Sequence, residues 1–307
     1  FIALSFFIIL FFSIFNESFY KEFAKFFFII SFFLLLLTLI IGIEVKGSKR
    51  WINLIFFNFQ PIELLKPSLI LFLAGIFSSD KSFIIKFFLS GSIISSAVIV
   101  LLLQPDYTQA LIILLVWFTI VFLSGVNLAI IISALSVTIG IMVSVLFFFK
   151  NNFSYIFLRF ENWLSSNNIS YQSEKSIDAI KHGGFFGQGI GEGILKEKIP
   201  EAHTDYVLAS ISEEYGIIII IFVLIIIFSL FMRVFAICQN EISSFKKYTL
   251  IALSTLILSQ IFINVGVTIN LLPSTGMTFS FLSYGGSSIL TSAFIMGIIL
   301  ALTKNKL

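Results

Sequence analysis

The chain has 307 residues, of which 58% are hydrophobic and only 11% are charged. A water-soluble domain carries about 25% charged residues, so this composition excludes a soluble globular protein and requires a lipid solvent. The net charge of +3 gives no reason to expect a nucleic-acid partner, and the single cysteine, Cys238, excludes an internal disulfide and a cysteine metal cluster.

A membrane-crossing helix needs about 20 mostly apolar residues. In chain order, such runs occur at 1–15, 24–43, 62–79, 83–103, 107–124, 127–149, 206–232, 248–270 and 281–303. Backbone groups cannot stay unpaired in hydrocarbon, so each run is predicted to be an α-helix; no alternation of period two points to a barrel. The expected fold class is all-α, a polytopic transmembrane helix bundle forming one domain over 1–307. The first run is short, opens at Phe1 and lacks the basic leader and cleavage site of a signal peptide. It is expected to follow an earlier helix that this chain lacks.

Alternating the runs across a bilayer puts the gaps 44–61, 104–106, 150–205 and 271–280 on one side. The other side receives Lys21, Lys25, Lys81, Lys86, Arg233, Lys246, Lys247, Lys304 and Lys306, against Lys46, Lys49 and Arg50 in the short segments of the first. Positive charge concentrates on the cytoplasmic side. The long gaps therefore face outward, and 150–205 is expected to be a large extracytoplasmic loop of a protein in the bacterial cytoplasmic membrane. Lys46, Lys49 and Arg50 then stand where topology disfavours them, either to bind an anion or to snorkel toward lipid headgroups.

Ionisable residues at membrane depth are functional hypotheses by default. Glu63 and Lys66, after Gln60-Pro61, are three apart on one helical face. They are either structural glue or a device that holds a phosphate. Pro200-Glu201-Ala202-His203-Thr204-Asp205 directly precedes the run at 206–232. Asp205 there is placed either to cap a helix or, partly desolvated, to serve as a base. Glu213 and Glu214 are expected inside that run, facing the bundle interior and Lys or Arg partners. The glycine-rich stretch Gly183–Gly193 reads as a tight re-entrant or turn-rich loop, because no strand or βαβ unit accompanies its dinucleotide-like spacing. Ser283-Tyr284-Gly285-Gly286-Ser287-Ser288 opens the last run, where backbone amides of Gly285 and Gly286 could face an anion. No His, Asp and Glu set has metal-ligand spacing. Together these features describe an outward-facing site for an amphiphilic anion, without distinguishing transport from reaction.

The same residues resemble the SEDS family (FtsW, RodA, SpoVE), peptidoglycan glycosyltransferases with ten transmembrane helices. The resemblance runs along the chain through Gly47-Ser48-Lys49-Arg50-Trp51, Gln60-Pro61 with Glu63 and Lys66, and Gln104-Pro105-Asp106. It continues through Gly187-Gln188-Gly189, Pro200 to Asp205, Glu213-Glu214, Pro273 with Gly276, and Ser283 to Ser288. Gly191-Glu192-Gly193 with Lys196, and Gly276-Met277-Thr278, look more like the division branch than the elongation branch. Ile62, Tyr107-Thr108-Gln109 and Ser280 depart from the family pattern at loop–helix junctions.

The resemblance implies polymerisation of lipid II, with Asp205 as general base. Lys49, Arg50 and Lys66 would steady the departing diphosphate, and Trp51 would pack on sugar or lipid. Gln60, Glu63, His203, Thr204, Ser283, Gly285 and Gly286 would contribute to substrate binding. It implies as partners a class B penicillin-binding protein and other divisome proteins; it implies no certain cofactor and leaves a divalent cation open. A flippase and a division scaffold without chemistry are the alternatives.

Overall fold

The computed structural model describes residues 1–45, 48–54, 57–127, 129, 132, 133, 136, 140, 144, 163 and 171–304. Lys46, most of the expected span 127–149, and most of the expected extracytoplasmic loop 150–205 before residue 171 lie outside the described residues. Among the described residues there are ten α-helices: α1 (Ile2–Ser13), α2 (Glu17–Ile41), α3 (Pro61–Phe77), α4 (Phe83–Leu103), α5 (Tyr107–Leu123), α6 (Tyr171–Gly183), α7 (Val207–Tyr215), α8 (Ile217–Gln239), α9 (Ser244–Thr268) and α10 (Gly286–Thr303). Five of these, α2, α4, α8, α9 and α10, are long and apolar enough to cross a membrane, and α1 and α5 are shorter apolar helices. The protein is an all-α membrane bundle. The chain divides into two compact units, Phe1–Ser136 with Arg233–Ile257 and Gly286–Leu307, and Val137–Met232 with Leu258–Gly285.

In the first unit, α3 is the core helix. Pro61 opens it at its first turn, where a missing N–H costs nothing. Leu65, Leu71, Leu73 and Ala74 are fully buried along it. Lipid is as apolar as leucine, so membrane helices associate through close packing of small residues rather than by escaping water. The last helix, α10, follows that rule: Ser287, Ser288, Thr291, Ser292, Ala293, Gly297 and Ala301 are all buried. A Cβ at Gly297 would lie 2.7 Å from Phe12 Cβ, so glycine lets α1 seat against α10.

The segment expected as an irregular loop at 44–61 is instead a small antiparallel sheet, β1 (Ile43–Val45), β2 (Ser48–Leu54) and β3 (Phe57–Phe59), in that order. Glu44 faces Lys49 and Ile52 faces Phe59 across it. The segment is too short to span, so it pairs its backbone groups locally as hairpins.

The second unit contains α6, α7 and a 3-10 turn at Lys196–Lys198. Its core gathers Ala179, Ile199, Ala202, Tyr206, Ala209 and Val267. The expected span 206–232 is not one helix. α7 ends at Gly216, whose φ of 81° only glycine adopts readily, and α8 starts afresh at Ile217 and runs beyond Arg233. The glycine-rich loop satisfies the break. Gln188 and Gly189 N–H donate to the Glu213 and Glu214 carbonyls at 2.9 and 3.1 Å, and Ile217 N–H donates to the Gly184 carbonyl at 3.0 Å. Glu213 and Glu214 therefore precede the membrane helix and do not lie within it.

A Cβ at Gly216 would stand 2.2 Å from the Phe185 carbonyl oxygen. Gly216→Ala thus meets both a disfavoured φ and a backbone clash. It is expected to destabilise the protein by at least about 1 kcal/mol, read as a lowered melting temperature in detergent.

Candidate active site

The segment Pro200–Tyr206 is anchored from beneath by Ala202 and Tyr206, which are buried in the core of the second unit. It turns at Glu201, which has φ 62°. The Glu201 carbonyl accepts from Thr204 N–H at 3.1 Å and Tyr206 N–H at 3.3 Å. The Glu201 carboxylate accepts from the Thr204 hydroxyl at 3.0 Å. Phe281, at φ 76°, and Asn270, at φ 59°, are likewise left-handed. Each such residue costs about 1–3 kcal/mol, and strain of this kind gathers where function demands it.

Three consecutive carbonyls of this segment are held from the chain's 264–284 region. Tyr284 N–H donates to the His203 carbonyl at 2.8 Å. The Ser283 hydroxyl donates to the Thr204 carbonyl at 2.5 Å and accepts from Phe279 N–H at 2.7 Å. The Asn264 side-chain amide donates to the Asp205 carbonyl at 2.8 Å. The Asp205 carboxylate lies against Gly276, where a Cβ would stand 3.8 Å from Asp205 Oδ2. Asp205 is half-buried, and His203 is exposed. The N-cap of α7 is Tyr206, without a side-chain cap bond. A cavity of about 310 Å³ opens on the same segment, lined by Lys196, Glu197, Glu201, His203 and Thr204 among others.

Behind that cavity, the two acids of α7 fasten the loop. Glu213 is fully buried. Its carboxylate accepts from the backbone N–H groups of Leu195 and Lys196 at 2.8 and 2.6 Å and lies 2.9 Å from His182 Nδ1. Burial pushes its pKa up, but the Leu195 amide, His182 and the Lys196 amide outweigh burial and hold it below the usual carboxylate value. Glu214 pairs with the Lys196 ammonium and accepts from Gly191 N–H at 3.1 Å. The hydrogen bond from Lys196 lowers its pKa. The expected Lys partner thus exists for Glu214, whereas Glu213 relies on backbone amides and a histidine.

In the first unit, Lys66 Nζ donates to Glu63 Oε1 at 2.8 Å, and Gln109 Nε2 reaches the same oxygen at 3.3 Å. Lys66 is 2% exposed and Glu63 5%. Arg50, on β2, ties the sheet to the turn between α4 and α5. Its Nε donates to the Gln104 carbonyl at 3.0 Å, its Nη2 donates to the Pro105 carbonyl, and its guanidinium faces Asp106 at 3.7 Å. Burial pushes the Asp106 carboxyl up, against the pull of Arg50 and Lys66.

The expected residues therefore fall into two sets, each described within its own unit. His203, Thr204, Asp205 and Ser283 come together in the second unit, with Gly285 donating to the Ser283 carbonyl at 2.8 Å. Arg50, Glu63 and Lys66 come together in the first around Asp106. Lys49 is exposed, Trp51 and Gln60 are half-buried, and Gly286 starts α10. Asp106, Gln109, His182 and Asn264 did not stand out as site residues in the sequence. For Asn264 the available signal was an amide in an apolar helix, one of two there with Gln260. Among the described residues, no group of three or more His, Cys, Asp or Glu could hold a metal.

A family model described as cell cycle protein, of FtsW, RodA and SpoVE type, matches residues 1–307. The probable peptidoglycan glycosyltransferase FtsW of Buchnera aphidicola subsp. Baizongia pistaciae is 34% identical over 281 residues, covering 89% of this chain and 74% of that protein. The protein of the same name from Trichlorobacter lovleyi is 35% identical over 286 residues, covering 88% and 73%. Among solved structures, a chain from work on structural coordination of polymerization and crosslinking by a peptidoglycan synthase complex superposes with a TM-score of 0.81 at 22% identity, covering 99% of this chain and 87% of that one. The rod shape determining protein RodA of Thermus thermophilus gives 0.71 at 24% identity, covering 99% and 85%. These two likenesses concern the fold.

Two measurements test the charge clusters. Removing one member of a buried ion pair strands the other charge, so Lys66→Met should cost about 3–5 kcal/mol. The Glu63→Leu, Lys66→Met double variant should recover most of that loss, measured as a thermal-unfolding cycle. Glu213 and Glu214 titrate below their ordinary 4.5 when folded. Their contribution is complete above that pH and is lost as pH falls toward the folded values, because the unfolded chain takes up protons first. Melting temperature should drop below pH 4.5, with a shallower acid limb in Glu213→Gln.

Proposed function

The chain belongs to the FtsW, RodA and SpoVE family of cell cycle proteins, and from that premise we propose that it is a peptidoglycan glycosyltransferase. It polymerises lipid II into glycan strands at the outer face of the cytoplasmic membrane, for the septal wall of dividing cells. The names of its relatives support the activity and the division role. The excess of Lys and Arg on one side of the spans supports the outward orientation of the loops. A class B penicillin-binding protein is the proposed partner, and similarity to a chain of a peptidoglycan synthase complex supports it.

In this reading, Asp205 is the general base. It takes the proton from the acceptor sugar's 4-hydroxyl as that oxygen attacks the donor's anomeric carbon. The bond from the anomeric carbon to the diphosphate oxygen breaks, the centre inverts, and undecaprenyl diphosphate leaves. One observation carries the assignment: three consecutive pinned carbonyls fix the backbone that bears Asp205, beside an open cavity and one short helix before the membrane span. A base must be held in place to contribute its usual 10²–10⁴-fold.

Cations near the leaving group would offset the charge that develops on it. Lys49 is exposed and the Arg50 side chain is 23% exposed, which supports these two as candidates for that role. Lys66, buried on Glu63, would act by fixing the set around them.

With purified full-length protein, its partner and lipid II, Asp205→Asn should make no glycan strands while still folding and binding the partner. Polymer formed by that variant at the wild-type rate would instead favour a scaffold or a flippase.

A further inference from the structure

The acid proposed as base is positioned from one place deep in α9. Asn264 is 1% exposed and stands about one turn before the C-terminal end of an apolar helix. Its Nδ2 carries two hydrogens and both are engaged: one on the Asp205 carbonyl at 2.8 Å, the other on the Met277 carbonyl at 2.7 Å. The opposite amide orientation would set an oxygen against two carbonyl oxygens, so the chemistry of the partners fixes the rotamer. Among the described residues, Asn264 Oδ1 has no hydrogen-bond partner. Burying an unsatisfied amide oxygen is unfavourable, and a smaller or apolar residue would avoid that cost. What the residue supplies, then, is the pair of donors.

Those donors join the two halves of the site. Asp205 precedes α7, and Met277 follows Gly276, the residue against which the Asp205 carboxylate lies. Asn264 thus fixes the distance between the acid's own peptide and the wall it rests on. Ser283 and Tyr284 hold only the two residues before it.

We propose that Asn264 is a positioning residue for Asp205, setting the carboxylate's approach to the acceptor hydroxyl by holding the Asp205 and Met277 carbonyls together. The inference rests on the reading of Asp205 as base. Misplacement of a reacting group by about 1 Å costs on the order of 10²-fold in rate. Asn264 touches no substrate in this scheme, so the loss falls on kcat and leaves KM for lipid II unchanged.

The experiment uses the full-length protein with its partner and purified lipid II. It compares wild type, Asn264→Ala, Asn264→Ser and Asp205→Asn, with rates counted per molecule recovered as folded protein. Asn264→Ala should lose on the order of 10²-fold in kcat at constant KM. Asn264→Ser, which keeps one donor, should fall between it and wild type. Wild-type kcat per folded Asn264→Ala molecule, or a loss confined to KM or to yield, with Asp205→Asn inactive, overturns this inference alone. An active Asp205→Asn overturns the reading of the base and this inference with it.

Discussion

Peptide groups that leave helical geometry at a membrane's edge must find partners inside the protein, because lipid offers none. Two breaks in this chain obey that demand, and the candidate site lies at the second. At the first, Gly216 separates α7 from α8, and the glycine-rich loop supplies donors to the carbonyls of Glu213 and Glu214 and an acceptor for Ile217. At the second, the turn segment before α7 places three carbonyls on Tyr284, Ser283 and Asn264. The loop, α7 and the stretch after α9 are thereby one hydrogen-bonded assembly, and Asp205 belongs to its most constrained part.

Charge follows the same logic in the first unit. Lys66, Glu63, Asp106 and Arg50 gather two cations and two acids where an isolated ion would be costly. Arg50 also joins β2 to the α4–α5 turn through two carbonyls, so its charge and its role as a brace coexist. In the second unit, Glu213 and Glu214 perform a comparable task for the loop, one through backbone amides and the other through Lys196.

Much of the fold was legible because hydropathy reads directly onto membrane helices. The run at 83–103 matches α4 residue for residue, and 107–124 differs from α5 only at its end. The run at 206–232 misled because polyisoleucine after 217 dominates any window that includes it, hiding a break made by one glycine and a distant loop. The sheet at 43–59 escaped notice because its strands are three to seven residues long and are stabilised by one another. The Glu63–Lys66 pair was readable, since spacing on one helix fixes neighbours. Asn264 was not: its importance comes from residues 59 and 13 positions away, which no local pattern encodes.

The engagement of the His203, Thr204 and Asp205 carbonyls has a further consequence for recognition. A ligand arriving in the adjoining cavity meets a stretch whose peptide oxygens are already claimed from behind. What the stretch offers that cavity is the side chains of His203 and Thr204, carried by a main chain that has little freedom to adapt. Selectivity at this wall is accordingly written in side-chain identity, and evolution can retune it one residue at a time without disturbing the scaffold underneath.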